Sequence, residues 1–118
     1  MSKAIKIEIK EGLVVSCTIE WNDLRDITII EKYLNVESAD VRALTDSIDA
    51  WVDDTGLLKT GNLLIGLIVD GKQLIFSKEI LLLGLDYKTG KTRGLNKEEL
   101  EWIKNNLFTI DEPIGKIK

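Results

Sequence analysis

Three short stretches of this sequence carry residue types at spacings that could do chemistry. In "SIDAWVDDTGLLK" (47–59), Asp54-Thr55-Gly56 is the triplet on which dimeric acid proteases of the retroviral type carry their carboxylate. Two copies would share one proton, one aspartate serving as base and the other as acid. "LLLGLD" (81–86) could supply the apolar-apolar-glycine segment that follows later in such chains, but the gap between the two is too short to hold a flap. The charged Asp53 precedes the triplet and Leu57 stands where a small residue is expected, so "DDTG" reads as a turn.

Gly90-Lys91-Thr92 resembles the end of a phosphate-binding loop. That loop needs a glycine, four residues and then Gly-Lys-Ser/Thr opening a helix, so that backbone amides surround the phosphates. Here five residues separate Gly84 from Gly90, and Arg93-Gly94 follows in place of a helix, so a solvated loop is expected. The same loop groups Tyr87 with Lys88, Lys91, Arg93 and Lys97, and an arginine beside an aromatic can grip a phosphate or a base. Tyr87, Lys88, Lys91 and Arg93 are the candidate ligand-binding residues. No catalytic residue, metal ligand or cofactor is assigned.

Composition narrows the field further. The chain has no histidine, which removes Ser-His and Cys-His pairs and the commonest zinc ligand, so an enzyme is not expected. The single cysteine, Cys17, sits among apolar neighbours and reads as a buried thiol in a reducing compartment. Residues 1–59 carry 7 basic and 12 acidic side chains, residues 60–118 carry 9 and 8, and the net charge is -4. That balance disfavours nucleic acid as a partner, above all for the first half. The opening "MSKAIKIEIK" has a charge every second residue, and the longest apolar run, "LLIGLIV" (63–69), is too short to span a bilayer. A cytoplasmic protein without membrane contact is expected.

The elements that must position these stretches follow from periodicity. Isoleucines 5, 7 and 9 alternate with charges, Glu11-Gly12 turns the chain, and Val15, Cys17, Ile19 and Trp21 alternate again, which predicts an N-terminal β-hairpin. "DLRDITIIEKYLN" (23–35) repeats apolar residues at helical spacing behind Asn22 as N-cap, with Asn35 at its end. Residues 38–53 suit either one helix or two short strands, and strands are preferred. Asp70-Gly71 marks a second hairpin, "ILLLG" (80–84) a fully buried strand, and 62–69 fits strand or helix. Asn96 and Glu99 form a capping box opening the helix "KEELEWIKNNL" (97–107). The three tryptophans, Trp21, Trp51 and Trp102, are assigned to core packing, and the tail 110–118 to a loosely docked segment. The sum is a single α+β domain over 1–118, a mostly antiparallel sheet with two or three helices packed on one face. A homodimer through an edge strand such as "AIKIEIK" stays open.

"IDAWVDDTGLLKTGN", "IFSKEILLLGLD" and "TRGLNKEELEWIKNNL", in that order, resemble the second half of a family of small proteins of unknown function from phages and mobile elements of Gram-positive bacteria. The shared pattern is an apolar strand, a turn with glycine, a strand ending in Leu-Gly and a terminal helix, over about residues 45–107. Thr55 in the turn and the longer "GLIVDGKQ" segment depart from it. The resemblance implies an accessory protein of a phage or prophage with no assigned activity, and it reads "DDTG" as a hairpin turn. A well-patterned small fold without a convergent catalytic constellation is expected to act by binding a host or phage protein. The alternative weighed beside it is a small-ligand protein that sequesters a phosphate or nucleotide.

Overall fold

The computed structural model describes residues 2–22, 27–34, 36–56 and 59–117. Its centre is sheet A, in the order β2-β1-β7-β4-β3: β2 (Leu13–Trp21), β1 (Ser2–Lys10), β7 (Glu79–Leu85), β4 (Ile48–Asp53) and β3 (Ala39–Ala43), all antiparallel neighbours. The hairpin β1–β2 closes through Glu11 and Gly12, both at positive φ (53° and 80°), the backbone that a two-residue turn needs to match strand twist. The preference for two strands in 38–53 holds as β3 and β4, and 62–69 resolves to strand.

A smaller sheet B covers one face of sheet A. It is built on β5 (Leu63–Val69), which pairs with β6 (Lys72–Ser77) across the Asp70-Gly71 turn. Its other edge is shared by β9 (Leu107–Thr109) and β10 (Gly115–Lys116). Sheet A's opposite face is covered by α1 (Ile27–Leu34), which lies over β7, β4 and β3. The proposed first turn of this helix and its stop at Asn35 fall outside the described residues. The second helix, α2 (Lys97–Asn106), packs Ile103 and Leu100 into the layer between the sheets. The helices therefore sit on opposite faces of sheet A, correcting the expectation of a single helical face, because sheet A is apolar on both sides.

β7 shows why. Ile80 and Leu82 point into the core shared with sheet B, whereas Leu81 and Leu83 point into the core under α1. Side chains alternate along a strand, so the unbroken apolar run is what burial on both faces demands. Each of these four side chains contributes about 1.5–3 kcal/mol of transfer free energy. Trp21 and Trp51 are buried under α1 and Trp102 is half-buried, in keeping with packing roles.

Three expectations are overturned by the packing. Cys17 is exposed, because on β2 the cover from α1 stops near Trp21 and Ile19, leaving Leu13, Val15 and Cys17 in solvent. The strand "AIKIEIK" is no edge; it is β1, between β2 and β7. Residues 110–117, expected as a loose tail, are tied to β5 and its approach: Ile110 N donates to Gly66 O, Ile114 N to Leu64 O and Ile117 N to Asn62 O at 2.9–3.1 Å. No helix among the described residues is long and apolar enough to cross a membrane.

Candidate functional site

The polar constellations read from the sequence are built largely around their own internal partners. In the "DDTG" turn the buried aspartate is Asp53, not Asp54. Its carboxylate accepts from Thr55 N at 3.1 Å and Lys59 Nζ at 2.6 Å. Burial alone would raise its pKa, but these donors outweigh it and hold the group below the usual carboxylate value. Asp54 is exposed. Gly56 stands where a Cβ would lie 1.9 Å from Ser77 Oγ, so close approach explains the glycine. Asp53, Thr55 and Lys59 line an open cleft of about 770 Å³ with Glu31, Lys32, Glu37 and Ser38, a mixed-charge wall without a dominant sign.

The Gly-Lys-Thr loop spends its amides on itself. Lys88 N and Thr89 N donate to the Asp86 carboxylate at 3.0 and 3.4 Å, and Gly90 N to Asp86 O at 2.7 Å. The hydrogen bonds to its carboxylate, the one from Lys88 N first, lower the Asp86 pKa. The amides that a phosphate-binding loop would offer to its ligand thus face a carboxylate of the chain.

The four candidate ligand residues divide. Tyr87, Lys88 and Lys91 are exposed on this turn. Arg93 lies instead in β8 (Thr92–Arg93), paired with β7, and its guanidinium reaches Glu99 Oε1 at 2.7 Å and Oε2 at 3.1 Å. It also donates to Gly94 O and Leu85 O at 2.9 and 3.2 Å. Glu99 is the N3 residue of the capping box, accepting from Asn96 N while Asn96 Oδ1 accepts from Glu99 N. Burial pushes its pKa up, but Arg93, Asn96 N and the Ser47 side chain together bring it below the ordinary value. Among the described residues no three His, Cys, Asp or Glu side chains converge as metal ligands.

A different feature points to binding. Along β5, Ile65, Leu67 and Val69 face inward, so Leu64, Gly66 and Ile68 face out. Register places Phe108 and Gln73 beside Ile68, and Ile75 beside Gly66. Ile110 and Ile114 lie across the glycine, where a Cβ would be 2.7 Å from Ile110 Cδ1 and 3.1 Å from Ile114 Cγ2. The outer face of sheet B therefore carries one continuous apolar surface, with Ile68 38%, Ile75 45%, Phe108 55% and Ile114 37% exposed. Single exposed apolar residues are ordinary, but several together on one sheet face mark an interaction surface. Sequence reasoning did not single out these residues. Their one signal is that "NLLIGLIV" is apolar at nearly every position, which would suit burial on both faces.

No family model, curated protein or solved structure matches the chain.

Proposed function

We propose that this chain is a protein-interaction module that docks a partner protein on the outer face of sheet B. The observation that carries the reading is the contiguous apolar surface of Ile68, Ile75, Phe108 and Ile114, laid on a two-sided scaffold. Burial of such side chains is the dominant favourable contribution to protein association, and aromatic residues are enriched at interfaces. The polar loops support the same reading, since their strongest hydrogen-bonding groups are engaged within the chain. An accessory role toward a host or phage protein rests on the resemblance over residues 45–107.

The test is capture from host lysate, with and without phage infection, by tagged wild type and by an Ile75→Asp/Phe108→Asp variant. Both positions are exposed, so the variant should keep its circular dichroism spectrum and lose the captured protein. A stoichiometric partner held equally by both forms would refute the assignment of this face.

A further inference from the structure

We infer that β2 is a self-pairing edge, through which two copies of this chain join their A sheets across a two-fold axis at Thr18. The argument starts from the two edges of sheet A. β3 is five residues long and carries Asp40 and Arg42, the charge and shortness that keep an edge from recruiting foreign strands. β2 is nine residues long, has no charge, proline or glycine from Leu13 to Ile19, and exposes Leu13, Val15 and Cys17 beside its backbone. One edge is guarded and the other is not.

The hairpin decides which backbone groups of β2 are free. A two-residue turn makes Lys10 and Leu13 a hydrogen-bonded pair, and alternation then directs residues 13, 15, 17, 19 and 21 toward β1. Residues 14, 16, 18 and 20 point outward. The first of these is used, because Val14 N donates to Asp111 O of the tail at 2.7 Å. Ser16, Thr18 and Glu20 remain, on an edge that no strand pairs among the described residues.

Three outward residues centred on Thr18 are matched by the same three from a second copy running antiparallel. Thr18 then pairs with Thr18 of the copy, and Ser16 with Glu20, each as a hydrogen-bonded pair. On one face threonine meets threonine, a favourable cross-strand pair; on the other, Cys17 meets Ile19, and Val15 falls opposite Trp21, whose ring stays buried under α1, so no like charges oppose each other. Glu20 keeps its ion pair with Lys3, which lies on the hairpin's own neighbouring strand. A two-fold contact of this kind closes on itself and leaves no new edge. The helix α1 lies over β7, β4 and β3 and meets β2 near its end, where Tyr33 packs against Trp21.

Light scattering behind size exclusion, run over the protein's full soluble concentration range, should give twice the monomer mass. Thr18→Pro removes an N–H that points away from β1, a position where an edge strand tolerates proline, and should give a monomer with an unchanged spectrum. Should the proline variant fail to fold, Thr18→Lys sets two lysines opposite each other and should also give a monomer. Thr18→Cys in a Cys17→Ser background should cross-link under mild oxidant, since a directly opposed pair falls within disulfide reach. A wild-type monomer at every concentration, or a dimer that persists in a folded Thr18 variant, overturns the inference. The Ile75→Asp/Phe108→Asp variant should dimerise normally, which separates this edge from the partner-binding face.

Discussion

Replacing Glu99 by alanine should cost this protein about 3 kcal/mol, far more than a surface carboxylate is worth. The Glu99 side chain is only 6% exposed and Arg93 29%, and the guanidinium contacts both carboxylate oxygens. Losing charge-assisted hydrogen bonds of this kind costs roughly 1.5–3 kcal/mol. Loss of the reciprocal half of the capping box, from Asn96 N, adds about 1 kcal/mol. In a chain of 118 residues each kcal/mol moves the thermal midpoint by about 4 °C, so the expected fall is about 12 °C. Urea unfolding followed by tryptophan fluorescence gives the free energy, with Asn96→Ala as a partial control at about 1 kcal/mol. Arg93→Met should cost a similar amount, because it strands a buried carboxylate, and the Arg93→Met/Glu99→Met double variant should recover at least about 1.5 kcal/mol of the summed losses. A Glu99→Ala cost below about 1 kcal/mol, or strictly additive single losses, would show that this pair does not hold the loop to the helix. It would also return Arg93 to the set of residues available for a ligand.

Stability should peak on the mildly acidic side of neutrality. Burial raises the pKa values of Asp49 and of Glu79, whose buried Oε2 finds no hydrogen-bond donor among the described residues. Both oppose the fold when ionised, so it gains stability as pH falls through their folded values. Asp53 and Glu99 are depressed below the ordinary 3.8 and 4.5, so their contribution is complete above those values and is lost as pH falls through the folded ones. A urea midpoint that declines steadily from neutral pH into acid would contradict the assigned environments of Asp49 and Glu79. Within the "DDTG" turn, Asp53→Asn should lower the thermal midpoint by several degrees, since it removes the charge held by Lys59 and Thr55, whereas Asp54→Asn should leave it unchanged. Equal melting of the two variants would count against this reading of the turn.

How much of this was legible in the chain depends on the range of the forces involved. The Glu11-Gly12 and Asp70-Gly71 turns and the Asn96–Glu99 capping box are local, set by a few adjacent residues, and each stands where the pattern placed it. Cys17 was misread because alternation tells which residues share a face but not how far a covering helix extends over it. The same gap in information put both helices on one face and made β1 an edge, since order within a sheet is decided by pairings many residues apart. The outer face of sheet B was hidden for a related reason: an apolar strand does not record whether its second face is covered. The polar loops misled differently. Arg93 counted as a free cation until its strand beside β7 brought it to Glu99, six residues further on in sequence.

The central position of β7 also imposes a schedule. Ile5 pairs with Leu82 and Ile48 with Gly84, so neither flank of sheet A is joined until residues 79–85 have been made. At roughly 5–20 residues per second, a ribosome leaves β1 waiting about 4–15 s for that strand. During this interval the hairpin β1–β2 can close, but Ile5 and Ile7 have no layer to enter and both of its edges are open. Folding of this protein is then limited by a long-range strand insertion rather than by any local element, and the last third of the message, not the first, starts the clock on assembly.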